Sequence, residues 1–311
     1  MKKFTLSALA LVAAAVAAPA FAQSSVTLYG RLNTTVESQK DNNLGRKWVV
    51  ANNASRIGFK GLEDIGGGLK ASFNLEHGLN SDTGASTGGT TFWGREAWVQ
   101  LAGNFGAVRL GSFTPESYFA TADYISMHNH DTGSSEDALY AFGPWVKNNK
   151  VGYFTPTFGG FSASMSTSMG EGTAKRAYDF AANYDMGPLH LGAGLADQGN
   201  NSQWAVRALY EMGAFTFGAY YNQAKNYSAG VAPVSGKYKA ARLAAMYTMG
   251  ASEFHLNVAR ASYGEQMTLG YNYNLSKRTK LYGYYTDRDL NRDRSNVGEF
   301  SSLAFGVRHN F

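Results

Sequence analysis

From Ser25 to Glu37 the chain reads SVTLYGRLNTTVE and alternates with a period of two. Val26, Leu28, Gly30, Leu32, Thr34 and Val36 share one face; Thr27, Tyr29, Arg31, Asn33, Thr35 and Glu37 share the other. Such alternation marks a strand with unlike faces. A full charge amid the polar face of so long a strand predicts that this face meets water. The polar stretch that follows, to about Asn53, reads as a loop. SRIGFKGLED then sets Ile57 and Phe59 opposite Arg56, Gly58 and Lys60. A glycine turn at Asp64–Gly68 reverses the chain, and LKASFNLEHG returns with Leu69, Ala71, Phe73 and Leu75 on one face and Lys70, Ser72, Asn74 and Glu76 on the other. After a Gly/Ser/Thr-rich loop to about Thr91, TFWGREAWVQLAGN and AVRLGSF form a hairpin around Gly103–Gly106.

The same rhythm resumes at Lys150 with KVGYFTP and FSASMSTSM, and continues in hairpins that turn at Met186-Gly187-Pro188, Met212-Gly213, Met249-Gly250 and Ser276, to the last strand SSLAFGVRHNF. The pattern predicts sixteen strands, joined by seven short turns and eight longer or more polar connections. Short turns at one end and longer loops at the other are the pattern of an outer-membrane barrel. Closed pairing of an even number of strands satisfies every backbone group in lipid, and sixteen strands leave room for an aqueous channel. The predicted fold is all-β, a 16-stranded antiparallel transmembrane barrel.

One connection stands apart. Residues 114–149, from about Pro115 to Asn149, are too long for an ordinary loop, and such loops are usually functional. This one carries Glu116, Asp123, Asp131, Glu136 and Asp137, the histidines His128 and His130, and Lys147 as its one basic residue. The strands around it carry Arg31, Arg56, Lys60, Arg95 and Arg109. The expectation is an acidic loop facing a basic wall inside a water-filled barrel. Arg31, Arg56 and Lys60 lie on polar strand faces, and Arg109, between Val108 and Leu110, faces inward by parity. Arg95 shares its face with Ala97, Val99 and Leu101, so parity places it near the rim or at a packed subunit wall. Tyr140, Phe142 and Trp145 either pin the long loop to the barrel or begin an aromatic path for a solute.

Composition supports the barrel. The chain has 36 Gly, 19 Tyr and 19 Phe, 6 Pro and no Cys. A slightly negative mean hydropathy is what averaging a polar lumen face with an apolar lipid face produces. Without cysteine, an exported chain has no disulfides to staple it. Export is expected because Lys2 and Lys3, the apolar run Leu6–Val16, Pro19 and the Ala20-Phe21-Ala22 site make residues 1–22 a secretory signal peptide, leaving residues 23–311 as a single barrel domain.

The formal net charge of +5 drops by two with that segment, and its basic residues are spread singly, which excludes a nucleic-acid face. An enzyme needs a nucleophile and base, or positioned acids. Of six histidines only His128 and His130 cluster, beside Asp131, and two loop histidines without a third ligand do not make a metal centre. No catalytic residue, cofactor or metal is expected.

SSVTLYGRLN, SRIGFKGLEDIGGGLKASF, REAWVQLAGNFGAVRLGSF and the terminal VRHNF, in that order, resemble the general trimeric porins of Gram-negative outer membranes, most closely the proteobacterial type whose first strand carries LYG. The resemblance covers essentially the whole mature chain. It implies a channel for passive diffusion of ions and small hydrophilic solutes, with the third extracellular loop folded inward as a constriction. It also implies that Arg95 faces the pore. Asp131–Asp137 resembles the segment after the acidic loop tip, which places the tip at Met127–His130, with histidines where enterobacterial members hold a glutamate. With the arginine wall, this predicts anion preference or weak selectivity at neutral pH, increasing as His128 and His130 protonate near a pKa of about 6.5. The resemblance further implies a homotrimer among outer-membrane lipid and lipopolysaccharide. Small residues on outer faces, Gly30, Gly61 and Ala71, permit close packing there. Phe311, closing an alternating last strand, resembles the signal read by the outer-membrane assembly machinery. A channel specific for an organic anion or sugar is the alternative.

Overall fold

The computed structural model describes residues 24–41, 45–123, 125, 143–229, 232–262, 264–290 and 299–311. Seventeen strand segments occupy sixteen positions around one closed antiparallel sheet. The first position is β1 (Ser25–Asp41). The second is shared by β2 (Gly45–Asn52) and β3 (Arg56–Gly66). Both pair with β1, at Thr34↔Asn52 and Arg31↔Arg56, and the one-residue slip between these registers is taken up at Asn53–Ser55. Ala54 there has a φ of 55°, and the Asn53 amide still donates to the Asn33 carbonyl at 2.8 Å. This is a bulge within one stave of the barrel.

The wall continues through β4 (Leu69–Gly78), β5 (Glu96–Gly103), β6 (Gly106–Ser112), β7 (Lys150–Phe154) and β8 (Phe161–Ser168). Then come β9 (Ala177–Met186), β10 (Leu189–Gln198), β11 (Asn201–Met212), β12 (Phe215–Ala229) and β13 (Ala232–Met249). It ends with β14 (Ser252–Ala261), β15 (Gly264–Asn274), β16 (Thr279–Leu290) and β17 (Phe300–Asn310), which pairs back onto β1.

The strands run further than alternation alone indicates. The supposed loop to Asn53 is largely hairpin: β1 reaches Asp41 and β2 starts at Gly45, with Arg46 donating to the Ser38 hydroxyl at 2.7 Å. Likewise β10 and β11 are joined by Gly199 and Asn200 alone, where a longer polar connection is expected from sequence. These hairpin ends are polar on both faces, so the period-two signal fades although pairing continues.

Burial is inverted relative to a soluble protein. The buried side chains include Asn33, Thr35, Glu37, Asn222, Asn272 and Thr286, whereas Val26, Leu28, Leu32, Val36, Leu243 and Phe305 are exposed. Polar groups face the lumen, and an apolar band faces outward. A belt of rings follows the short-turn end: Phe215–Tyr247 at 4.8 Å, Tyr247–Phe254 at 6.3 Å and Phe254–Tyr271 at 5.1 Å. Aromatic girdles of this kind mark a membrane interface. No described helix is long and apolar enough to cross a membrane; crossing would fall to the strands.

The seam between first and last strands is locked from inside. The buried Glu37 carboxylate accepts from Thr35 at 2.8 Å, Tyr284 at 2.7 Å, Ser302 at 2.9 Å and Gln39 at 2.9 Å. Outside, the Phe311 amide donates to the Gly30 carbonyl at 3.1 Å and the Gly30 amide to the Phe311 carbonyl at 3.0 Å. The Phe311 ring lies where a Gly30 Cβ would stand, and the Phe73 ring covers Gly61 in the same way. The smallness of these two glycines is therefore used by rings of their own chain, a correction to the sequence reading that they leave space for a neighbouring subunit.

Candidate functional site

The long connection leaves β6 at Ser112 and turns into the barrel. Pro115 precedes a single helical turn, α1 (Glu116–Tyr118), and a wider turn follows at Phe119–Asp123. The Asp179 carboxylate on β9 holds the start of α1. It accepts the Glu116 amide at 2.8 Å, the Ser117 amide at 3.2 Å and the Ser117 hydroxyl. One carboxylate thus satisfies two amides that a helix start leaves without partners. Arg207 on β11 donates through Nε to the Ala120 carbonyl at 2.7 Å. Ile125 and Ala122 pack on Ala205, Leu209, Tyr220 and Ala244.

Small residues on the wall make this seat possible. A Cβ on Gly192 would overlap the Ala120 carbonyl oxygen, one on Gly194 would crowd Ser117 at 2.7 Å, and one on Gly218 would meet the tip of Ile125. The described start of the loop, residues 116–123 and 125, therefore lies against β9–β13.

Within the barrel lies a cavity of about 920 Å³. On its wall side stand Arg31 on β1, Arg56 on β3, and Lys280 and Arg308, register partners on β16 and β17. Arg31 and Arg56 are also register partners, and Arg31 donates to Asn310 at 3.2 Å, so four cations form a ladder across adjacent strands. Arg95, Arg109 and Lys147 extend it. Of the acids, Glu76, Glu96 and Asp123 line the same space. Glu76 meets Arg95 at 2.6 Å and Arg56 at 3.8 Å. Glu96 is turned to Thr114, accepting its amide at 3.0 Å and its hydroxyl at 2.7 Å. Among the described residues, seven cationic side chains stand against three carboxylate side chains in the cavity lining, a net positive balance.

Arg31, Arg56, Arg95 and Arg109 are brought together; Lys60 is not. It lies four residues along β3 from Arg56, about 13 Å toward the short-turn end, with its ammonium 5.3 Å from the Tyr29 ring centroid. Arg95 reaches the lumen despite its parity because it precedes the first residue of β5, Glu96, and so is not bound by that strand's alternation. Arg109 is held over Trp98 at 4.2 Å and Phe154 at 4.3 Å and pairs with Glu116 at 3.1 Å. Glu116 thus lies beneath the loop as part of its anchorage. Burial is the main cause that pushes its carboxyl up to about 7, against the opposing charge of Arg109. Asp123 faces the cavity. His128, His130, Asp131, Glu136 and Asp137 lie outside the described residues, as do Tyr140 and Phe142.

Trp145 faces the cavity at 47% exposure, its ring edge-on to that of Tyr118 on the same loop at 5.0 Å. Lys147 fastens the returning limb by donating to the Gly94 carbonyl at 2.8 Å and to that of Arg95. Sequence reading missed Lys280, Arg308, Lys147 and Asp179 as members of the site. Lys280 and Arg308 share the polar faces of their strands, which is the signal that could have found them. Among the described residues no group of three or more His, Asp or Glu side chains could hold a metal ion.

Comparison with known proteins agrees with this geometry. The family model described as Gram-negative porin matches residues 8–293. The outer membrane porin protein 32 of Delftia acidovorans is 34% identical over 344 residues, covering 96% of this chain and 92% of that protein. A solved anion-selective porin from Comamonas acidovorans superposes with a TM-score of 0.79 at 28% identity, over 93% of this chain and all of the other. The major outer membrane protein P.IB of Neisseria gonorrhoeae is 33% identical over 199 residues, 59% of this chain and 53% of that protein.

Proposed function

The chain belongs to the Gram-negative porin family, and on that premise we propose an outer-membrane channel whose constriction favours anions over cations. The protein is a porin of the outer membrane, a water-filled barrel for ions and small hydrophilic solutes. The observation that carries the anion preference is the charge of the described cavity lining, seven cationic side chains and three carboxylates, of which Glu76 and Glu96 are engaged by Arg95, Arg56 and Thr114. Fixed charge of one sign in a confined channel concentrates the opposite ion. The anion selectivity of the Comamonas porin supports the same sign here. The test is the zero-current potential of single channels in a planar bilayer under a potassium chloride gradient. A potential of chloride sign is expected; one of potassium sign would overturn the preference.

Acidification should strengthen it. Glu116 is ionised above about 7 and neutral below, so lowering the pH from 8 to 6 removes a negative charge beside Arg109 while every lining arginine stays protonated. The chloride-to-potassium permeability ratio is expected to rise over that interval. Glu116→Gln should flatten the rise, and a full rise in that variant would assign it to other groups, His128 and His130 first.

The remaining features follow from the same reading. Residues 1–22 are removed on export, residues 23–311 form the barrel, and 114–149 is the constriction loop. The outer apolar band contacts lipid and lipopolysaccharide, and the functional form is a homotrimer. Phe311 acts as the assembly signal. Its ring also covers Gly30, so Phe311→Leu, which keeps an apolar cover, is expected to lower the yield of folded barrel in cells but not in detergent refolding. Equal losses in both would make Phe311 merely a seam residue.

A further inference from the structure

The two described limbs of the loop present aromatic rings to the cavity. Phe119 is 42% and Trp145 47% exposed, and both line the cavity across which Arg31, Arg308 and Lys280 stand. Tyr118 joins them, its ring centroid 5.0 Å from Trp145, edge-on, and 5.8 Å from Phe119. The turn that exposes Phe119 buries Ala120 and Ala122 against the barrel. The Phe119 ring is thus directed into the water path by the same backbone that seats the start of the loop. A general ion path needs the cations and gains nothing from rings opposite them.

A cavity lined by rings from the loop and by guanidinium groups from the wall suits a flat ring that carries a negative charge. The ring stacks edge-to-face on Phe119 and Trp145, its carboxylate meets an arginine as a fork-to-fork pair, and a second guanidinium lies over the ring face. The wall already holds one arginine this way, Arg109 at 4.2 Å from the Trp98 ring centroid.

We propose that the cavity between Phe119, Trp145 and the basic wall is a subsite for aryl carboxylates, which dwell in the constriction while small inorganic anions pass. This rests on the anion-channel reading above. A saturated ring of similar size and equal charge is the discriminating comparison. It is at least as hydrophobic, but it offers no π-face to the guanidinium groups and no quadrupole to the tryptophan.

The experiment is block of chloride current through single channels at pH 7, by benzoate and by cyclohexanecarboxylate, with benzyl alcohol as the neutral ring. Benzoate is expected to half-block at a concentration about three- to tenfold lower than cyclohexanecarboxylate, as one or two aromatic contacts would produce, and benzyl alcohol is expected not to block. The double variant Phe119→Leu/Trp145→Leu should erase that difference while keeping the chloride-signed zero-current potential. Equal block by the two carboxylates, absence of block, or a difference that survives in the double variant would each overturn the subsite. The wild-type comparison decides the matter even if the variant does not assemble. A chloride-signed potential with no aryl preference would leave the anion channel standing alone, whereas a potassium-signed potential would remove both.

Discussion

Neutralising Arg31 and Arg308 together, as Arg31→Gln/Arg308→Gln, is expected to lower the chloride-to-potassium permeability ratio roughly fifteenfold. The size follows from Coulomb's law in water: about 1 kcal/mol between unit charges at 4 Å falls to about 0.4 kcal/mol at roughly 6 Å once salt screening with a length of about 10 Å is included. Each lost charge then changes the local concentration of each ion about twofold, in opposite directions for the two signs, or about fourfold in their ratio. These two positions suit the test because both line the cavity and neither is held by Glu76, as Arg56 and Arg95 are. Lys60→Gln supplies the control, since Lys60 lies outside the cavity and should leave the ratio nearly unchanged. Zero-current potentials in a salt gradient measure all three proteins. If the double variant keeps the wild-type ratio, or if Lys60→Gln lowers it equally, the ladder across β16, β17, β1 and β3 does not set the field.

The second large effect concerns the seat of the loop. Gly192→Leu is expected to cut single-channel conductance by about half and to make the open current noisy, because overpacking of about 1–3 kcal/mol must lift the loop into the remaining path. A Cβ at Gly192 would overlap a backbone carbonyl, that of Ala120, whose oxygen also accepts from Arg207 at 2.7 Å. Neither group can swing aside without releasing the loop. Gly218→Ala is the graded comparison: it meets only the end of the Ile125 side chain, which can change rotamer, so its conductance should stay near wild type. Because these residues face the lumen on strands paired along their whole length, the barrel itself should still assemble. Wild-type conductance in a correctly folded Gly192→Leu barrel would show that the loop is not held against this wall.

The two predictions differ in how much of their basis is visible in the chain. Arg31 announces itself, a charge on the polar face of an alternating strand. Arg308 sits in the equally legible VRHNF, yet its partnership with Arg31 depends on β17 closing onto β1. Gly192 looks like one more strand glycine until Ala120, seventy-two positions earlier in the chain, is laid across it. Arg95 shows the converse, since alternation placed it on the apolar face, and its lumen position follows from where β5 begins. Trp145 and Phe119 are equally instructive. Aromatic content in the loop was plain, but Phe119 is turned to the water by Asp179 fixing the start of α1 and by alanines occupying the contact side, whereas Trp145 lies on the returning limb that Lys147 fastens.

The sequence by itself determined the strands, their approximate number, the sidedness of turns and loops, and which face of each strand is polar. Those properties are written locally, in a period of two and in glycine turns, and lipid allows only a closed barrel for such a pattern. The tertiary structure alone decided the bulge that makes β2 and β3 one stave, the use of Gly30 and Gly61 by rings of the same chain, and the exclusion of Lys60 from the cavity. It alone also joined seven cations from distant segments into one lining and set the start of the constriction loop against β9–β13. The physical reason is common to all of these. Each depends on contacts between residues far apart in the chain, where volume and charge are matched across space and leave no periodic trace along the sequence.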